Sequence, residues 1–283
     1  MAWPRNLVPD STLVQETIEL LRLCGGHVPV EQVADLILEL PGLDPPTAAL
    51  LVSELIKDDW RMRLNDAHAL ELLCEDAETR ALGETDFVVV DVETTDARTP
   101  PGRITEIGAY RVHAGSIVAE FRTLVNPETP IPSFIVGLTG ITDQMVKDAP
   151  RFADIAHEWL QFADLAVLVA HNASFDVRFL NHELARVYPG RRMCNTQLCT
   201  VKLTRQLMPD LVNHRLHTIA EHFAVPIPNR HRAPDDARAT AEIFIRLLAQ
   251  LDGHGVRDLA SARKFTMTAG SGQRSEVRAK VQS

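Results

Sequence analysis

Asp91 and Glu93 stand two residues apart at the end of the apolar run Phe87-Val88-Val89-Val90, and the two-residue period of a strand sets both carboxylates on one face. Two anions so close repel each other, and a bound cation relieves the repulsion. An Asp-x-Glu at a strand end is by itself an ordinary solvated terminus; its company gives it meaning. Asp176 ends HNASFD, directly after the apolar AVLVA, and Asp236 lies in HRAPDDA at the start of the last long helical pattern. Each acid stands where an apolar element emerges, so four carboxylates can converge. Four oxygen donors without cysteine suit a hard divalent cation, Mg²⁺ or Mn²⁺ rather than zinc. Two such ions about 4 Å apart form a clamp for in-line displacement at phosphorus, one activating water and the other stabilising the leaving oxygen. His231, five residues before Asp236 in a loop bounded by Pro228 and Pro234, is a candidate to take the proton of the attacking water.

The elements that must position these groups are legible in the pattern. Phe87 to Val90 reads as a strand buried on both faces. Residues 103 to 113 and 116 to 126 read as two further strands joined at Ala114-Gly115, an antiparallel meander. Helical spacing predicts helices over about 151 to 162, 173 to 187, 196 to 207, 215 to 223 and 234 to 251, with another strand at 166 to 170. Upstream, three short helices are expected at 11 to 23, 30 to 40 and about 45 to 58, followed by a hairpin with its tip at Asn65-Asp66. Three helices and a hairpin resemble a winged helix.

The strings VVDVETT, HNASFD and HRAPDDARAT resemble the three motifs of the DEDDh (DnaQ-like) 3′-to-5′ exonucleases, in the style of the proofreading epsilon subunits of bacterial DNA polymerase III. The likeness extends over about residues 85 to 250 and includes ITEIGAYRV and LVNPETPIPSFIVGLTGITDQMV. It implies an α/β, ribonuclease H-like fold, a mixed five-stranded sheet flanked by helices. It makes Asp91, Glu93, Asp176 and Asp236 ligands of two metal ions and His231 the general base. The H-x-A-x-x-D-A spacing selects Asp236 over Asp235, and His in place of Tyr sets the chain in the His branch. It also implies contacts to the 3′-terminal nucleotide from Thr94, Thr95 and the Leu138-Thr139-Gly140 segment. Asp96 departs from the pattern, standing where many relatives have Gly. His171 and Asn172 are further candidate substrate contacts, although Asn172 is equally placed to cap the helix that carries Asp176.

At 283 residues the chain is long enough for one full domain and a smaller companion, and 45% apolar against 24% charged residues is a globular composition. The expected organisation is an extension at 1 to 10, the winged-helix-like module at 11 to 80, the exonuclease domain at 85 to 251 and a flexible basic tail at 255 to 283. Residues 11 to 80 carry 14 acids against 5 bases, while residues 81 to 283 carry 23 of each, so the net charge of −9 belongs to the N-terminal module. Such a module repels phosphate at long range. Arg61 and Arg63 offer its hairpin only a modest phosphate contact, and a protein-docking or packing role is expected. Cys24, Cys74, Cys194 and Cys199 lack the paired spacing of a zinc site and the density of a disulfide framework. No segment has the character of a secretory signal or a membrane span, and a cytoplasmic protein is expected. The expected partners are nucleic acid 3′ ends, DNA favoured over RNA, and a DNA polymerase or repair partner. The runners-up are an RNA-trimming enzyme and a non-catalytic adaptor on the same fold.

Overall fold

The computed structural model describes residues 3–73 and 79–267. They divide into two compact units, one built from residues up to Leu7 with 80–189 and 193–267, the other from residues 8–73, 79 and 190–192.

The smaller unit runs α1 (Thr12–Leu23), β1 (His27–Pro29), α2 (Val30–Leu36), α3 (Pro45–Ile56), β2 (Met62–Leu64) and β3 (Ala69–Leu72). Ser11 caps α1 by accepting the Val14 N–H, and prolines occupy the first turn of α3, where a missing N–H costs nothing. β3 pairs antiparallel with both β1 and β2. Val14, Leu20, Leu21, Val28, Val33, Val52 and Leu70 form a separate core. The sequence pattern ran the second helix to residue 40, whereas α2 stops at Leu36 because Glu39 takes a positive φ and the Leu40 N–H turns back to the Ala34 carbonyl. Both hairpin arginines are held by acids, Arg61 by Asp59 and Arg63 by Glu71.

The larger unit contains β4 (Phe87–Thr94), β5 (Ile104–His113), β6 (Ser116–Leu124), α4 (Ser133–Thr139), α5 (Asp143–Val146), α6 (Phe152–Ala163), β7 (Val167–Ala170), α7 (Ala173–Val187), β8 (Gln197–Cys199), α8 (Thr200–Leu207), α9 (Leu216–His222), α10 (Ala233–Gly253) and α11 (Leu259–Met267). Its five strands lie in the order β8-β7-β4-β5-β6. β4, β5 and β6 form the antiparallel meander, and β4–β7 and β7–β8 pair in parallel, so the sheet is mixed as expected. β4 is apolar on both sides because both faces of the sheet are covered. Val88, Val90 and Val92 pack with Trp159, Phe179 and Leu180 of α6 and α7, while Phe87 and Val89 pack with Phe244 and Leu247 of α10.

Two further sequence expectations are corrected here. Residues 197–199, expected in a helix, form edge strand β8, and α8 begins at Thr200; the β-branched pair Thr200-Val201 allowed either reading. The short helices α4 and α5 carry too few turns for a periodic signal and went unread. The flexible tail does not begin at 255: α11 covers 259–267, burying Leu259 and Ala262. The rest of the expected tail, 268–283, lies outside the described residues, as does Cys74. Cys24 and Cys199 are free thiols. Within the described residues no helix is long and apolar enough to cross a membrane.

Candidate active site

β4 carries Asp91 and Glu93 on the face that Phe87 and Val89 turn toward α10, so the helix bearing Asp236 packs against the same face of the strand. Asp176 arrives from the opposite layer. β7 pairs with β4 only through Val89, and beyond that point the Val92 N–H donates to Asp176 Oδ1 at 3.2 Å. The carboxylate stands in the first turn of α7, where the helix dipole favours an anion. On the other side of β4, Asp91 lies opposite Gly108 and Glu93 opposite Glu106 on β5. A Cβ at Gly108 would lie 2.3 Å from the Ala233 carbonyl carbon and oxygen, so glycine there lets the start of α10 touch the sheet. His231 turns the chain into that helix with a φ of 60°, and its N–H donates to Asp236 Oδ2 at 3.0 Å. Donor atoms of Glu93, His231 and Asp236 lie within 4.8 Å of one another.

The electrostatics follow from this crowding. Burial, followed by the charges of Asp176, Glu93, Asp236 and Glu106, raises the Asp91 carboxyl well above the usual carboxylate range. Glu93 is pushed up to about 8 by burial and then by Asp236, Glu106 and Asp176, with Arg232 opposing. Asp176 is pushed up to about 8 by burial, against two backbone N–H groups that favour its anion. Asp236 is raised by burial. Four carboxyls that hold their protons so strongly are short of positive charge, and their all-oxygen donor set with one nearby imidazole fits a hard divalent cation.

Residues 88–244, more than half of the chain, match the Exonuclease (RNase_T) family. The chain belongs to this exonuclease family. The DNA polymerase III epsilon subunit of Aquifex aeolicus is 37% identical over 180 residues, 63% of this chain and 89% of that one. A PolC-type DNA polymerase III of Caldanaerobacter subterraneus is 45% identical over 190 residues, 67% of this chain but 13% of that one. A putative bifunctional exonuclease/endonuclease of Mycobacterium tuberculosis is 41% identical over 219 residues, 74% of this chain and 33% of that one. The chain thus spans between about an eighth and a third of these last two relatives. Among solved structures, Exonuclease X in complex with 5′ overhanging duplex DNA superposes with a TM-score of 0.50 at 27% identity, over 64% of this chain and 99% of that one. The nuclease domain of 3′hExo, described as a DEDDh family member, shares the fold at 22% identity and a TM-score of 0.51, over 60% of this chain and 94% of that one.

The residues expected at the exonuclease's substrate differ in what their side chains already do. Thr94 donates its hydroxyl to the Asp96 carbonyl, and Thr95 Oγ1 accepts the Arg103 N–H. Asp96 accepts the Arg98 N–H and so closes its own turn. Thr139 is buried, its hydroxyl donating to Ile135 O and accepting from Ile141 N, whereas Leu138 beside it is 51% exposed. The His171 ring is hydrogen-bonded to Thr200 Oγ1, and burial pushes its pKa down to about 4. Asn172 has a left-handed backbone and makes no side-chain cap, so the capping alternative is not realised. Glu106, Gly108 and Arg232 complete the site's frame and were not singled out in the sequence. Glu106 stood in the quoted ITEIGAYRV, where its charge amid apolar residues was the available signal.

Proposed function

We propose that this chain is a metal-dependent 3′-to-5′ exonuclease that releases nucleoside monophosphates from single-stranded or frayed DNA 3′ ends. The reading rests on the gathering of Glu93, His231 and Asp236 within 4.8 Å beside Asp91 and Asp176. Two Mg²⁺ or Mn²⁺ ions held by the four carboxylates supply Lewis acidity toward the phosphodiester and its attacking water. His231, exposed and held at its backbone by Asp236, takes the proton from that water. Leu138, exposed on α4, packs against the terminal base, and the Thr94–Thr95 backbone with Thr139, His171 and Asn172 borders the nucleotide. DNA is favoured over RNA, and a polymerase or repair partner is favoured, by the likeness to the epsilon and PolC-type chains.

The smaller unit we read as a winged-helix-like module that docks protein rather than DNA. Its net charge of −9 over residues 11 to 80 and the acids already holding Arg61 and Arg63 support this. Tight binding of the Asp91→Ala chain to duplex DNA, lost when residues 1 to 79 are removed, would refute it.

The activity test is a 5′-labelled single-stranded DNA and a matched RNA, each with and without Mg²⁺ or Mn²⁺, alongside Asp91→Ala. The expected result is a metal-dependent ladder that shortens from the 3′ end, runs faster on DNA and is absent in the variant. No shortening of either strand with either metal, together with no calorimetric metal binding, would leave the fold as a binding adaptor.

A further inference from the structure

Glu106 performs a task that the proposed chemistry does not use. It is 2% exposed and lies cross-strand from Glu93, and its two oxygens meet three donors: Arg232 Nε at 3.0 Å, Arg232 Nη2 at 2.5 Å and Ala233 N at 3.0 Å. All three donors belong to consecutive residues between His231 and Asp236. Two residues along the same strand, Gly108 leaves the space that the Ala233 and Pro234 backbone fills. A carboxylate that accepts both a guanidinium fork and an adjacent backbone N–H fixes the direction of the peptide between them. The path from there to the reactive groups is one residue long on one side, since His231 precedes Arg232. On the other side it is one helical hydrogen bond long, since the Asp236 N–H donates to the Arg232 carbonyl at 3.0 Å.

We propose that Glu106 and Arg232 are positioning residues: their fork latches the His231 loop and the first turn of α10 to β5 and thereby fixes His231 and Asp236 against Glu93. The inference rests on the reading of this site as a nuclease centre. A displaced latch moves the base and one carboxylate together, while Asp91, Glu93 and Asp176 stay on elements that the latch does not touch.

The test uses the full chain as Arg232→Ala, Arg232→Lys, Glu106→Gln and the double variant Glu106→Gln/Arg232→Ala. Three quantities are read: kcat and KM on labelled single-stranded DNA, Mn²⁺ affinity by calorimetry, and hydrogen exchange at the amides of His231 and Asp236. Loss of outer support for a metal site typically costs about 10–100-fold, and that is the expected fall in kcat and in Mn²⁺ affinity for Arg232→Ala and Glu106→Gln. KM stays within about twofold, because binding common to substrate and transition state is untouched. The amides of His231 and Asp236 exchange faster by a larger factor than amides elsewhere in the chain. Arg232→Lys recovers part of the loss, millimolar guanidinium restores part of kcat to Arg232→Ala but none to Glu106→Gln, and the double variant is no worse than the poorer single one. A raised KM with unchanged kcat would make Arg232 a substrate contact and overturn the proposal, as would wild-type exchange and Mn²⁺ affinity in Arg232→Ala. If the wild-type chain cuts no nucleic acid, the nuclease reading fails, and the exchange and Mn²⁺ measurements still decide the latch.

Discussion

His231 is the one member of the proposed catalytic set that is exposed; its N–H donates to Asp236 and its backbone takes a left-handed φ of 60°. In its proposed role as general base it would contribute through proton transfer, an effect worth about 10²–10⁴-fold. His231→Ala should therefore lower kcat by about that factor while the four carboxylates still bind Mn²⁺; single-turnover kinetics alongside calorimetry separates the two, and an unchanged kcat would remove the base assignment. Asp91 offers the complementary test. Because its carboxyl is raised by burial and by the charges of four neighbouring acids, Asp91→Asn relieves repulsion in the metal-free protein while depriving the proposed metal site of a ligand. The variant should melt higher than wild type in EDTA near pH 8, and it should be inactive. A variant that melts lower there would mean that the acids do not repel.

At the scale of elements, the site depends on how closely α10 approaches β5. An added methyl at Gly108 meets backbone, not a flexible side chain, so Gly108→Ala must push the helix start away and carry Asp236 with it. A misplacement of about 1 Å costs on the order of 10²-fold in rate, and kcat for Gly108→Ala should fall by that amount. Gly83→Ala, where a Cβ meets nothing within 4 Å, should be silent in the same assay. A second element contact secures the loop after β4. Arg103, whose N–H is bonded to Thr95, reaches Glu183 of α7 with its side chain, and the two side chains are 10% and 2% exposed. Without Glu183 the buried guanidinium keeps the more exposed Glu128 carboxylate at 3.1 Å, which offsets part of the cost of an unpaired buried charge. Glu183→Ala should therefore destabilise the chain by at most about 3–5 kcal/mol, read from the urea midpoint.

For the molecule as a whole, the carboxylate cluster sets how stability responds to pH and metal. Glu93 and Asp176 keep their protons up to about pH 8 in the folded chain, against ordinary values of 4.5 and 3.8. Between those limits the folded state holds protons that the unfolded chain has released, so their stabilisation is full below about pH 4 and is lost as pH rises through about 8. Metal-free protein in EDTA should accordingly melt lower at roughly pH 8.5 than at roughly pH 5.5. Mg²⁺ or Mn²⁺ should raise the melting temperature most at the alkaline end, since a ligand stabilises the state that binds it and the ionised carboxyls bind best. Melting curves at four pH values with EDTA or metal test both statements, and a flat EDTA series would show that the acids do not interact.

The sequence by itself determined the strand that carries Asp91 and Glu93, the helices that carry Asp176 and Asp236, and the order of the motifs. These are local matters: a β-branched run, a 3.6-residue period and the residues at its start fix each element without reference to the others. The same local signals ran out for β8, three residues long, and for α11, whose Leu259 and Ala262 are buried against a core built by distant segments. For Asn172 the residue type left a helix cap and a substrate contact equally open, and in the fold its backbone is left-handed and its side chain makes no cap hydrogen bond. What only the tertiary structure decided is the frame around the acids. Glu106 lies 126 residues from Arg232, and Val92 lies 84 from Asp176. Gly108 is an ordinary glycine in a strand until the backbone of Ala233 comes to rest against it. Such pairings follow from which layer each helix covers and how closely it can approach, and no local period in the chain encodes that distance.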